Sequence, residues 1–176
     1  MGKTLLLTGH PRSGKTTIVR KVIEVWGDRA GGFYTEEIAG PGGRKGFRLI
    51  TLDGRRYTLA HKDFRGPRVP RVGRYGVDPE ALAKGVEAIR RAMREGKLVV
   101  VDEIGKMELL SPDFRAVVLQ AILGPTPVFG TILFKPHPHA DLYKTLAQVT
   151  LWEVDPRTRD ALPRKVLSFF EEVNDA

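Results

Sequence analysis

The apolar run Thr4-Leu5-Leu6-Leu7-Thr8 empties directly into Gly9-His10-Pro11-Arg12-Ser13-Gly14-Lys15-Thr16, and this junction constrains the chain more than any other feature. The spacing GxxxxGK[ST] is that of a phosphate-binding loop. Its glycines let backbone N–H groups turn inward around phosphate oxygens, the lysine reaches the outer phosphates, and the hydroxyl of Thr16 is placed to ligate Mg²⁺. Beyond the loop, Ile18, Val19, Val22, Ile23 and Trp26 recur at helical spacing, so the phosphates would meet a helix N-terminus. Gly9, His10, Pro11, Arg12, Ser13, Gly14, Lys15, Thr16 and Thr17 are the expected nucleotide-binding set, with the His10 side chain facing solvent.

A strand feeding such a loop belongs in an α/β sheet, and the rest of the chain fits that pattern. Residues 31–38 read as a strand. Residues 47–51 and 57–60 flank Asp53-Gly54 and read as an antiparallel hairpin, since Asp-Gly is a strong turn signal. Residues 62–77, rich in Gly, Pro and Arg and without periodicity, read as a long surface loop. Asp78-Pro79, Ser111-Pro112 and Asp155-Pro156 each place a capping side chain before a proline at the first helical position, which predicts three helix starts. Leu82, Val86, Ile89 and Met93 line one face of the first of these helices. Leu162, Val166, Phe169, Phe170 and Val173 line the last. Between the helices, 98–101, 128–133 and 149–154 are short apolar runs expected of parallel strands buried on both faces.

The 176 residues suffice for one substantial core, and no spacer-like stretch divides them, so 1–176 is read as a single domain. The 29 lysines and arginines exceed the 21 acids by eight, which favours anionic partners: the nucleotide's phosphates in the plainer reading, a nucleic acid in the sharper one. No cysteine is present, which removes disulfides and thiolate metal sites. The phosphate loop interrupts the N-terminal apolar run, and no 18-residue apolar stretch occurs, so a cytoplasmic protein with no membrane segment is expected.

A phosphate loop needs a distant carboxylate for its metal. Leu98-Val99-Val100-Val101-Asp102-Glu103 supplies one as a hydrophobic strand ending in acid, which makes Asp102 the Walker B candidate and, with Thr16, the metal pair. In P-loop ATPases of the additional-strand class, a glutamate directly after that aspartate polarises the attacking water. Glu103 therefore argues for hydrolysis over transfer to an acceptor.

Five blocks make the chain resemble the cancer-related nucleoside-triphosphatase family, small P-loop proteins similar to nucleotide kinases. They are Thr8-Gly9-His10-Pro11 leading into Gly14-Lys15-Thr16-Thr17; Gly32-Phe33-Tyr34-Thr35-Glu36-Glu37; Arg44-Lys45-Gly46-Phe47; Val72-Gly73-Arg74-Tyr75-Gly76-Val77; and Val101-Asp102-Glu103-Ile104-Gly105-Lys106-Met107-Glu108. The resemblance implies a mostly parallel additional-strand sheet flanked by helices, with the antiparallel hairpin inserted. It also implies Mg²⁺ and the conversion of ATP, GTP and other nucleoside triphosphates to the diphosphate and phosphate with broad base specificity. Lys106, carried by the last block, joins Glu103 and Lys15 as a catalytic candidate. Two positions depart from the pattern. Arg12 stands where the family usually has glycine, losing freedom at positive φ and adding charge. Thr158-Arg159-Asp160 stands where Asn-Arg-Asp is usual, so no base or ribose contact transfers from that asparagine.

Other residues carry weaker signals. Arg65, Arg68, Arg71, Arg74 and Arg159 are candidates for an arginine that neutralises charge on the leaving oxygens, the first four reading more simply as a solvated loop. Thr131 reads as structural rather than as a γ-phosphate sensor. His137 and His139 lack a third ligand and read as an exposed loop rather than a metal pair. Glu36 and Glu37 orient substrate or end a strand. Two rival readings stay open: a nucleoside or nucleotide kinase with the arginine-rich loop as lid, and a nucleic-acid-binding protein with a regulatory nucleotide site. The oligomeric state is not legible.

Overall fold

The computed structural model describes residues 3–174, with the side chains of 172–174 outside the described set. Among the described residues nine strands and five α-helices follow one another, with five of the strands consecutive between the first two helices. They are β1 (Thr4–Thr8), α1 (Lys15–Trp26), β2 (Ala30–Gly40), β3 (Gly43–Thr51), β4 (Arg56–His61), β5 (Arg71–Val72), β6 (Tyr75–Val77), α2 (Pro79–Arg94), β7 (Leu98–Ile104), α3 (Pro112–Leu123), β8 (Val128–Ile132), α4 (Pro138–Lys144), β9 (Val149–Glu153) and α5 (Leu162–Asn174). All strands join one sheet in the order β5-β6-β4-β3-β2-β7-β8-β1-β9. From β2 to β9 neighbours run parallel, whereas β3, β4, β6 and β5 extend the sheet antiparallel. β8 lies between β1 and β7, which is the additional-strand arrangement expected.

Period-two alternation explains how the parallel half buries both faces. Leu5 and Leu7 of β1, with Leu98 and Val100 of β7, point into a cluster with Ile18, Val22, Val166 and Phe170 from α1 and α5. Leu6, Val99 and Val101 point to the other face and pack with Val86 and Ile89 of α2 and Phe114 and Val118 of α3. The cap signals at Asp78 and Ser111 act as predicted, accepting from the N–H groups of Glu80 at 2.9 Å and Phe114 at 3.1 Å.

Several expectations are corrected. The strand expected at 98–101 continues to Ile104, so Asp102 and Glu103 stand within β7 rather than after it. The run 149–154 is not buried on both faces, because β9 is an edge strand paired to β1 and leaves Leu151 39% exposed. Asp155-Pro156 does not start a helix. The Asp155 carboxylate accepts from Arg157 N–H at 2.8 Å and its carbonyl from Thr158 and Arg159, closing a turn, and α5 begins only at Leu162. Within 62–77 the short hairpin β5–β6 forms, and the insertion is larger than one hairpin because β2 runs to Gly40 and turns back into β3. Helix α4 replaces the exposed loop expected around His137 and His139: His137-Pro138 repeats the capping pattern, and the His137 ring accepts from His139 N–H at 3.2 Å. Leu162, Val166 and Phe170 are buried as expected, and Val173 lies outside the described side chains.

Among the described residues no helix is long and apolar enough to cross a membrane. Phe114, fully buried and 6.3 Å from the ring of Phe33, joins α3 to the sheet beneath α2. Phe114→Ala should lower the unfolding free energy by about 3–5 kcal/mol, measured by urea denaturation; a loss below about 1 kcal/mol would mean that this layer repacks freely.

Candidate active site

The phosphate loop leaves the C-terminal end of β1 and closes on α1, whose N-terminus is capped by Gly14 at φ 101° without a side-chain bond. Gly9 sits where a Cβ would lie 2.9 Å from the Val154 carbonyl oxygen, so β9's exit presses the loop from behind. Arg12 adopts φ 66°. The chain keeps the left-handed turn that a glycine takes freely, at a cost of roughly 1–2 kcal/mol for an L side chain, and projects a guanidinium into solvent beside the loop. The ring of His10 is exposed as expected, yet it also packs against Phe134 with centroids 4.4 Å apart.

Lys15 folds back across the loop. Its ammonium donates to the carbonyls of Gly9 at 2.6 Å and His10 at 3.3 Å, which fixes its direction and leaves one N–H for a phosphate oxygen. Burial pulls its pKa below the ordinary lysine value, against the opposing charges of Glu103 and Asp102.

Asp102 is 2% exposed and held on three sides. Thr131 of β8 donates its hydroxyl to Oδ1 at 2.6 Å, Thr16 of α1 donates to Oδ2 at 3.1 Å, and the Thr35 amide of β2 is near enough to favour the charged carboxylate. Burial raises its pKa, and these three groups, with the Lys15 charge, work against the rise. The Thr16 hydroxyl and the Asp102 carboxylate give an oxygen-only donor pair, which fits a hard cation that keeps most of its waters and shares the phosphates of a substrate. Among the described residues no group of three His, Cys, Asp or Glu side chains forms a separate metal cage.

Glu103, one residue on, folds over Gly105, where a Cβ would come within 2.7 Å of its Oε1; the missing side chain makes room for the carboxylate. Burial raises the Glu103 pKa, the Asp102 charge adds to the rise and Lys15 opposes it. Behind it stands Glu108, 4% exposed, whose carboxyl is pushed well above the usual range by burial and then by Glu103. In the sequence Glu108 stands out only as the end of a motif; an acid set among Met107, Leu109 and Leu110 is the one local signal of its burial.

Other predicted residues separate clearly. Thr131 is structural, as expected, through its bond to Asp102. Lys106 is exposed after β7 and makes no hydrogen bond or ion pair with another site residue among those described. Glu36 pairs with Arg48 at 3.4 Å and Arg56 at 3.9 Å, and Glu37 with Arg44 at 3.1 Å, all within the antiparallel extension. His137 serves as the cap of α4. Of the arginine candidates, Arg159 is the one brought to the phosphate loop: a Cβ on Gly14 would lie 3.3 Å from its Cδ. Together with Thr17, Ile18, Lys21, Asp160 and Pro163 they line a recess of about 290 Å³. Arg71 and Arg74 are instead occupied at β5–β6, where Arg71 donates to the carbonyls of Phe64 and Arg74 and Arg74 donates to the Tyr75 hydroxyl.

The chain is similar to known proteins over nearly its whole length. A family model described as NTPase matches residues 4–167. The nucleoside-triphosphatase THEP1 of Thermotoga maritima is 41% identical over 165 residues, covering 93% of each chain. The crystal structure of THEP1 from the hyperthermophile Aquifex aeolicus superposes with a TM-score of 0.86 at 37% identity, covering 94% of this chain and 98% of that one. The solution structure of a human cancer-related nucleoside triphosphatase gives a TM-score of 0.82 at 32% identity, covering 97% of this chain and 98% of that one.

Thr131→Val preserves shape but leaves one buried Asp102 oxygen without its donor. It should cost about 1–3 kcal/mol in urea unfolding; unchanged stability would show that the bond contributes nothing.

Proposed function

The chain belongs to the nucleoside-triphosphatase family, and from that premise we propose that it is a Mg²⁺-dependent enzyme that hydrolyses ATP, GTP and other nucleoside triphosphates to the diphosphate and phosphate. One observation supports this above the rest: Lys15 and Thr16 of the phosphate loop stand beside Asp102 and Glu103 of β7, with Thr16 hydrogen-bonded to Asp102.

Loop amides and the Lys15 ammonium bind the β- and γ-phosphates and hold the γ-phosphorus still. Thr16 and Asp102 would hold Mg²⁺, which supplies charge neutralisation on the phosphate oxygens. Thr131 keeps the Asp102 carboxylate turned towards Thr16. Glu103 orients a water and takes its proton as the water oxygen bonds to the γ-phosphorus. The bond from that phosphorus to the β–γ bridging oxygen breaks, and the diphosphate leaves with the electron pair. Arg159, against Gly14, is placed to meet the nucleotide rather than a distant partner. The recess it lines with Thr17, Lys21, Asp160 and Pro163 takes the base, with the long side chains of Lys21 and Arg159 about it. Such a wall adapts to any base, in keeping with broad specificity. Lys106, exposed in the turn after β7, is assigned a role only on closure over bound nucleotide.

Phosphate release from ATP and GTP, measured with Mg²⁺ and with excess EDTA, tests the reading. Chelation should abolish release. Glu103→Gln should lower kcat by about 10² to 10⁴ while triphosphate binding is retained, and Lys15→Ala should weaken binding itself. Wild-type turnover in Glu103→Gln would remove that residue from the mechanism, and γ-phosphate appearing on an acceptor instead of free would establish a kinase.

A further inference from the structure

The chain's surplus charge is not spread over its surface. Residues 44–74 hold ten lysines and arginines against two acids, a surplus equal to the net +8 of the whole chain; in the remainder nineteen of each sign cancel. The charge needed to bind a nucleotide at the phosphate loop therefore does not account for the excess, because the excess lies in the antiparallel extension.

Part of it is neutralised in place, since Arg44, Arg48, Arg55 and Arg56 pair with Glu37, Glu36 and Asp53. Six cations, Lys45, Lys62, Arg65, Arg68, Arg71 and Arg74, make no ion pair among the described residues. Several are nevertheless held in place by neutral acceptors. Arg65 donates to the Lys62 carbonyl at 3.5 Å, Arg71 to the Phe64 and Arg74 carbonyls at 3.1 and 2.8 Å, and Arg74 to the Tyr75 hydroxyl at 3.2 Å. Fastening through carbonyls and a phenol fixes each guanidinium while leaving its charge unspent. The Lys62 amide binds the Lys45 carbonyl, and the two side chains crowd each other enough that Lys62, with a smaller push from Arg74, holds Lys45 below the ordinary lysine value.

Topology gives this patch a direction. β3 begins and β4 ends at the same end of the sheet at which β1 delivers the phosphate loop, because β2 and β4 run in the sense of β1. Five strand spacings separate β1 from β4, roughly 24 Å at about 4.8 Å each, so the patch serves a molecule other than the nucleotide on the loop. In the same loop a recess of about 380 Å³ is lined by Phe64, Val69 and Pro70 together with Arg65 and Arg68, and Asp63 and Asp78 also contribute to its wall. An apolar wall beside two unpaired guanidiniums suits an unstacked base and its phosphates. A bilayer fits less well, because the exposed large apolar side chains (Val25, Leu110, Leu123, Phe134, Leu142 and Leu151) all lie outside this segment.

We propose that the edge formed by the start of β3, the end of β4 and the loop through β5–β6 binds single-stranded nucleic acid, with the arginines and lysines on its phosphates and the Phe64–Val69–Pro70 recess taking a base. The strand would lie along the same end of the sheet as the nucleotide site.

Fluorescence anisotropy of the full chain with a labelled 20-nucleotide single strand and the matching duplex, at 50 and 200 mM KCl, tests this. With about five phosphates contacted, single-strand affinity should fall on the order of 10²-fold between the two salts. Lys62→Gln/Arg65→Gln/Arg68→Gln should weaken binding at least about tenfold and flatten the salt slope by about two, with phosphate release from ATP unchanged. The same charge removed from α2, in Lys84→Gln/Arg90→Gln/Arg94→Gln, should leave binding within about threefold; this is the control for net charge alone. Absence of single-strand binding at 50 mM KCl, equal losses in both triple variants, or preference for the duplex would each overturn the proposal. Because ATP turnover is read separately, none of these outcomes bears on the hydrolase reading.

Discussion

A single buried carboxylate holds the working end of this molecule together. Asp102 stands on β7, accepts from a hydroxyl on α1 and a hydroxyl on β8, and lies beside an amide of β2, so four elements distant in sequence meet at one side chain. A buried carboxylate without such donors would be costly, and the two hydroxyl bonds therefore constrain where their elements can lie. The phosphate loop is fixed relative to the Asp102 carboxylate by the Thr16 bond, and Glu103 inherits its place from the same strand. The two clusters of the core sandwich the sheet and keep β1, β8 and β7 in register. Packing supplies the stability here, and the hydroxyl contacts supply the alignment.

The sheet divides its labour along its width. The parallel half carries the phosphate loop, Asp102 and Glu103, and its charges balance; the antiparallel half carries the surplus of positive charge and a recess of its own. Both open at one end, because the strands that frame them share a direction. β2 runs between the two, with Thr35 beside Asp102 at one side and Glu36 and Glu37 in the arginine network of β3 at the other.

Much of this is legible in the sequence where backbone geometry dictates residue type. The phosphate loop needs its glycines, lysine and threonine at fixed spacing, and the acid after a hydrophobic strand is its obligatory partner, so Lys15, Thr16, Asp102 and Glu103 stand out from the sequence alone. Thr158-Arg159-Asp160 shows a charged turn but not its approach to Gly14, which depends on how the Asp155 turn delays α5. Thr131 reads as structural, but its bond to Asp102 spans 29 residues, from β8 back across α3 to β7, and leaves no local trace. Asp155-Pro156 and His137-Pro138 carry the same capping signature, yet one closes a turn and the other starts a helix. The residues after each proline make the difference: Arg157 and Thr158 turn back on Asp155, whereas Ala140 and Tyr143 find a buried face. The left-handed Arg12 shows tertiary constraint overriding local preference, since the loop holds its turn without the glycine that would make it free.

The central claim is that water, delivered by Glu103, attacks the γ-phosphorus of a triphosphate bound on the phosphate loop. Turnover of ATP in oxygen-18 water tests it most directly, with the isotope content of both products read by mass spectrometry. Heavy oxygen carried into the released phosphate, with the diphosphate left unlabelled, is the result this account predicts. Label in the diphosphate, or phosphate released without solvent oxygen, would place the attack elsewhere and contradict it.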